Sequence, residues 1–97
     1  MLIETPYKAN DIITVITSSG VEVIAKLVEE TDTTVKVHTP MSLMQTQQGI
    51  GLGPFAFTLN PKSNVVLNKS VILMIAKTEK EMASQYTQNT TGLELSS

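Results

Sequence analysis

The sequence predicts an all-β fold, a small and strongly bent five-stranded barrel followed by a short C-terminal helix, on three observations. Val, Ile and Thr make up nearly a third of the 97 residues, and their branched side chains lose rotamer freedom in helices but pack well on pleated surfaces. Apolar residues alternate with polar ones in several short runs, which is the period of a half-buried strand. Turn residues punctuate these runs at Ser18-Ser19-Gly20, Glu29 to Thr33, Asn60-Pro61-Lys62-Ser63 and Asn68-Lys69-Ser70, spacing that suits hairpins. A chain of this length makes one domain, residues 1–97, with a core modest enough that self-association would help it.

Asp11 to Thr17 (DIITVIT) is the first strand, and Gly20 supplies the positive φ of the tight turn after it. Val21, Val23, Ala25 and Leu27 form the inward row of the second strand, with Glu22, Ile24, Lys26 and Val28 outward. The polar cluster Glu29 to Thr33 leads into a third strand, where Val35, Val37 and Thr39 alternate with Lys36 and His38. Pro40 ends that strand, because proline has no N–H for a ladder. Met41 to Gly53 (MSLMQTQQGIGLG) reads as a long flexible connection with neither helical nor strand period. Phe55, Phe57 and Leu59 resume the alternation, and Val65 to Leu67 and Val71 to Ala76 make a last strand pair across a very short turn. The run VILMIA is apolar on both faces and reads as the most buried segment, covered by its own fold or by a neighbouring subunit.

Thr78-Glu79-Lys80-Glu81 has the form of a capping box, in which the threonine oxygen and the last glutamate each satisfy a backbone N–H at a helix start. It opens a helix over 78–88 whose Met82, Ala83 and Tyr86 share the face that packs on the sheet. Residues 89–97 are polar and read as a flexible tail.

Lys and Arg number 7 against 9 Asp and Glu, a net charge of −2, so the chain as a whole has no attraction for nucleic acid or an anionic membrane. Every basic residue is lysine. Without the bidentate fork of arginine, strong sequence-specific DNA recognition is not expected. The distribution is uneven: no acidic residue lies between Thr33 and Thr78, where Lys36, Lys62, Lys69 and Lys77 give a mild positive field. No apolar stretch approaches transmembrane length, and MLIETPYKAN lacks the features of a signal peptide, which together point to a soluble, cytoplasmic protein.

Catalytic chemistry finds no residue set. There is no cysteine, hence no disulfide or thiolate. His38 is the only histidine, and a lone imidazole on a strand reads as a hydrogen-bonded structural residue. Glu29, Glu30 and Asp32 read as a solvated acidic turn in preference to a metal site. Gly49-Ile50-Gly51-Leu52-Gly53 is followed by Pro54, not by the helix N-terminus that a phosphate cradle requires. The expectation is a binding or scaffolding module that is not an enzyme and uses no metal or cofactor.

Two segments resemble the Sm/LSm family, whose members are small barrels of the SH3-like kind. Gly20, Val23, Ala25 and Leu27 fall at the spacing of its first motif, and Asp32 matches its acidic position if the second turn is one residue longer. Val65-Val66-Leu67-Asn68-Lys69-Ser70-Val71-Ile72-Leu73-Met74 resembles the second motif, two hydrophobic strands around a tiny turn. The likeness spans Asp11 to Lys77 and is nearest to divergent virus-type Sm-like proteins such as those carried by cyanophages, with the host cytoplasm as the site of action if the chain is viral.

The resemblance implies a homo-oligomeric ring, roughly pentamer to heptamer, joined through Val65, Val66 and Leu67 on one strand and Val71, Ile72, Leu73, Met74 and Ile75 on the next. It also brings Lys36, Asn68, Lys69 and Ser70 toward a central hole as candidate contacts to single-stranded RNA. The chain departs from the family in kind: Val35 and Lys36 stand at its Met-Asn positions, and Asn68, Lys69 and Ser70 replace its arginine, glycine and asparagine. Binding to RNA is therefore expected to be weak and nonspecific. The alternative is a structural or protein-interaction ring, for example a viral assembly component, that has lost RNA contacts. The family's N-terminal helix is not expected, with Pro6 among the few residues before the first strand.

Overall fold

The computed structural model describes residues 7–54 and 63–95. Six antiparallel strands and one helix follow in the order β1 (Ile12–Thr17), β2 (Glu22–Glu30), β3 (Thr34–Thr46), β4 (Gly49–Pro54), β5 (Asn64–Asn68), a 3-10 turn at Lys69–Val71, β6 (Ile72–Lys77) and α1 (Lys80–Leu95). The strand order is β4-β3-β2-β1-β6, and β5 pairs with β3 beyond the end of β4. Phe55, Phe57, Leu59 and the Asn60-Pro61-Lys62 part of a predicted turn lie outside the described residues.

The β1–β2 hairpin forms as the turn chemistry requires. Gly20 takes φ +90°, and its N–H donates to the Thr17 carbonyl at 2.9 Å. Ile13 and Val15 of β1, Val23, Ala25 and Leu27 of β2, Val35 and Val37 of β3, and Leu67 of β5 share one core, with Ile72 and Ile75 of β6 packed against it. β5, paired to β3, and β6, paired to β1, both contribute to that core, so the sheet is curled around it as a barrel. Each fully buried branched side chain is worth about 1.5–3 kcal/mol, which makes this inward row the main source of stability.

The third strand does not stop at Pro40. It runs on to Thr46 and changes partner: Thr34 to His38 pair with β5, and Met41 to Thr46 pair with β4. Between those halves Thr39 has φ +52°, and the β2 register jumps from Lys26↔His38 to Ile24↔Met41. Here β3 advances three residues while β2 advances two, so Thr39-Pro40 sits in a bulge, where a missing N–H interrupts no ladder bond.

The segment from Met41 to Gly53 is accordingly not a flexible connection but most of a hairpin. Gly49, Gly51 and Gly53 face one side, and Ile50 and Leu52 the other, a strand alternation written with glycine as the small partner. The glycines leave room for their neighbours, since a Cβ on Gly53 would run into the Met44 thioether and one on Gly51 would touch the Thr46 methyl.

The opposite face of the sheet carries a second core of Ile24, Met41 and Tyr86, with Ile12, Leu43, Leu52 and Met82 packed on it. Tyr86 is the anchor of α1: only 3 % exposed, it donates from its hydroxyl to the carbonyls of His38 at 3.0 Å and Thr39 at 2.8 Å. The predicted helical face is thus the one that packs, but the capping differs. Glu79 caps the helix with both carboxylate oxygens, accepting from the N–H groups of Glu81 and Met82 at 3.1 Å each. Thr78 instead bonds Thr14, hydroxyl to hydroxyl, at 2.8 Å. The helix also continues past Gln88 to Leu95, into the stretch expected to be a tail. Thr87 and Thr90 donate to the carbonyls of Ala83 and Tyr86, the i−4 bonding that lets threonine persist in a helix.

β6 departs most from expectation. It is an edge strand that pairs only with β1. Ile72 and Ile75 are half-buried on the core side, whereas Leu73 is 69 % and Met74 44 % exposed. A run apolar on both faces is here covered on one face only.

Candidate functional site

The two turns that resemble the family's motifs lie against each other. The Lys69 N–H donates to the Thr33 carbonyl at 2.8 Å, and the β3–β5 ladder sets Thr34 opposite Asn68 and Lys36 opposite Val66. The β2–β3 turn is held by its own threonines. The Thr31 hydroxyl oxygen accepts from the N–H groups of Thr33 and Thr34 at 3.3 and 3.0 Å. The β5–β6 turn is held by Asn68, whose Oδ1 accepts from the Ser70 N–H at 2.9 Å and so caps the 3-10 turn.

Charge at this junction is balanced. Lys69 Nζ lies 2.8 Å from Glu30 Oε2, and the same carboxylate oxygen accepts from the Tyr7 hydroxyl at 3.1 Å. Lys36 stands across the β2–β3 ladder from Glu29 and forms no ion pair among the described residues. Of the four predicted RNA contacts, Asn68 and Lys69 are therefore engaged within the chain, while Lys36 is half-buried and Ser70 exposed. Tyr7 and Glu30 were not singled out as site residues. Neither lies near Lys69 in sequence, and the acidic run at Glu29 to Asp32 gives no sign of which carboxylate meets which lysine.

Burial raises the Tyr7 phenol above its ordinary value of 10.0, and the hydrogen bond to Glu30 and repulsion from its carboxylate raise it further. A raised phenol contributes stability that is fully present below pH 10 and is lost as pH climbs through the folded-state value. Melting temperatures should therefore fall more steeply above pH 10 for the native chain than for Tyr7→Phe, and parallel curves for the two would exclude this contribution.

The predicted interface residues fall into two sets. Leu67 is buried in the chain's own core, and Val65, Ile72 and Ile75 pack against that core. Val66, Val71, Leu73 and Met74 are exposed at 58, 44, 69 and 44 %. These four lie on or between β5 and β6, which with β4 are the strands whose second edge is unpaired among the described residues. The same strands that close the core thus offer free backbone edges flanked by apolar side chains, a ready template for pairing with another chain.

Among the described residues, no group of three His, Cys, Asp or Glu side chains is arranged to hold a metal ion. Among the same residues no helix is long and apolar enough to cross a membrane. No known family model matches the chain, and no curated protein matches it.

Proposed function

We propose that the chain is a subunit of a homo-oligomeric ring of the Sm-like kind, in which β5 of each copy pairs with β6 of the next, and that the ring is a weak, sequence-indifferent platform for single-stranded RNA in the cytoplasm. The observation that carries this reading is the pair of free edges on β5 and β6, joined by a three-residue turn and flanked by Val66, Val71, Leu73 and Met74. Two different edges on one subunit make a head-to-tail contact, which closes into a ring when the rotation per subunit divides a full turn. Closure repeats Lys36 around the axis, and a repeated point charge holds phosphates without reading bases. Binding held by such point charges weakens steeply with salt.

The Lys69–Glu30 pair and the capping role of Asn68 favour a second reading, a structural or protein-interaction ring in which the turns serve the fold alone. Titrating labelled single-stranded RNA into the assembled protein at low salt separates the two. The first reading expects measurable binding, weakened by Lys36→Ala and strengthened several-fold by Glu30→Gln, which removes the carboxylate competing for Lys69. No binding at low salt, or binding indifferent to both substitutions, leaves the second. A stable monomer by light scattering at micromolar concentration removes both.

A further inference from the structure

The C-terminal helix leaves a cleft along each flank, and the two differ in charge. On one flank Glu22 and Glu79 line the cleft beside Thr14, Leu43 and Met82, with no basic group among the described residues. On the other, a cleft of about 440 Å³ lies between the sheet and the helix, lined by Lys26, His38, Asn10, Thr87 and Thr90 over Ile12, and no described carboxylate lines it. It shares Asn10 and Ile12 with a second cleft of about 440 Å³ to which Lys77 and Lys80 contribute. The two clefts adjoin at these residues, and three lysines, Lys26, Lys77 and Lys80, line them together with His38. Their one acid, Asp11, already accepts from the Lys8 N–H at 3.0 Å.

The fold places these groups. Lys26 and His38 are cross-strand partners on β2 and β3, on the face opposite the barrel core. The His38 ring is fixed by a 2.8 Å hydrogen bond between Nδ1 and Asn64 Oδ1. Asn10 holds φ +76°, a left-handed conformation that asparagine tolerates, and its N–H donates to the Leu27 carbonyl at 2.8 Å. Lys80, Ala83, Thr87 and Thr90 recur along one side of α1, and the Tyr86 hydroxyl pins that helix to the strand carrying His38. Among the described residues none of Lys26, Lys77 and Lys80 forms an ion pair. An acidic protein has thus gathered unpaired ammonium groups and its only imidazole into adjoining clefts, while a lysine at its turns is matched by a glutamate.

We infer that these clefts form an anion site that takes a small phosphorylated molecule. A phosphoryl group carries close to two charges and several acceptor oxygens, which suits neighbouring lysines better than a single carboxylate does. The cleft volume is in the range of small-ligand sites. The cleft beside Lys26 and His38 has a mainly polar lining, and its one aromatic residue, Tyr86, is buried with its hydroxyl committed, so recognition is of the phosphoryl group and not of a stacked ring. This assignment does not depend on ring formation or on RNA binding at the turns.

The test uses inorganic pyrophosphate on the full chain at low salt, followed by amide chemical shifts and by calorimetry. Shifts should centre on Asn10, Lys26, His38, Lys80 and Thr87. Lys26→Met and Lys80→Met should each weaken binding by roughly five-fold, with Lys8→Met, a lysine that lines neither cleft, close to the native chain. The shift map on the native chain decides the location even if a variant folds poorly. Absence of binding at low millimolar pyrophosphate, shifts centred on the β2–β3 and β5–β6 turns, or equal weakening by Lys26→Met and Lys8→Met would each overturn the assignment.

Discussion

Replacing Leu73 with lysine is expected to leave a folded monomer under conditions where the native chain assembles. Leu73 is 69 % exposed in the single chain, and it sits where the β1–β6 register slips between Met74 and Ile72, so no intramolecular packing depends on it. In a β5–β6 contact between copies it becomes buried. Losing that burial and placing an ammonium at the joint removes about 3 kcal/mol, roughly a hundred-fold in each contact. Val66→Lys, at 58 % exposure on the other edge, should do the same.

Mixing the two variants makes the test specific. Each retains one sound edge, so together they should form a dimer of unlike chains that cannot grow further. Two-fold contacts between like edges predict a different outcome: one variant would still dimerise by itself, and mixing would add nothing. Size-exclusion chromatography with light scattering distinguishes these results, and assembly of Leu73→Lys alone into the native species would exclude the β5–β6 joint.

The largest loss of stability is expected at Tyr86. Tyr86→Ala empties the centre of the second core and removes two hydrogen bonds to the β3 bulge. Core truncations of aromatic residues cost about 3–5 kcal/mol, a large part of the total for a domain of this size. Its melting temperature should drop by about 15 °C or more. Tyr86→Phe keeps the packing and loses only the hydroxyl, so a fall of roughly 4–8 °C is expected. Equal effects from the two substitutions would mean that the hydroxyl, not the ring, holds the helix. Circular dichroism melting with a helix-sensitive wavelength reads both.

The barrel half of this architecture was legible because its signals are local and agree. Gly20 is needed for a positive φ, and Val23, Ala25, Leu27, Val35 and Val37 keep strict alternation through strands whose other face differs in polarity. The β3–β4 hairpin was not legible, for two physical reasons. Proline signals a strand end, although a bulge tolerates a missing N–H, and glycine signals a loop, although Gly49, Gly51 and Gly53 alternate with Ile50 and Leu52.

At the candidate site, sequence located the turns but misjudged their charge. Lys69 belongs to an acid-free stretch of chain, yet the nearest carboxylate in space is Glu30, brought in by the strand order. The clefts beside α1 were invisible for the same reason, since Lys26 and His38 share no motif with Lys77 and Lys80 and come near them only through the fold. In β6, apolar character on both faces signalled burial without saying against what.

The change of partner along β3 also bears on aggregation. Because β4 occupies β3 from Met41 onward, β5 is confined to the five residues Asn64–Asn68 and cannot lengthen by sliding along its neighbour. An edge this short offers few rungs to a foreign strand, and its side chains must fit for pairing to hold. The bulge at Thr39-Pro40 thus limits how promiscuous an exposed, β-branched edge can be, and a chain with Pro40 replaced and the bulge ironed out would be expected to form fibrillar material more readily than defined oligomers.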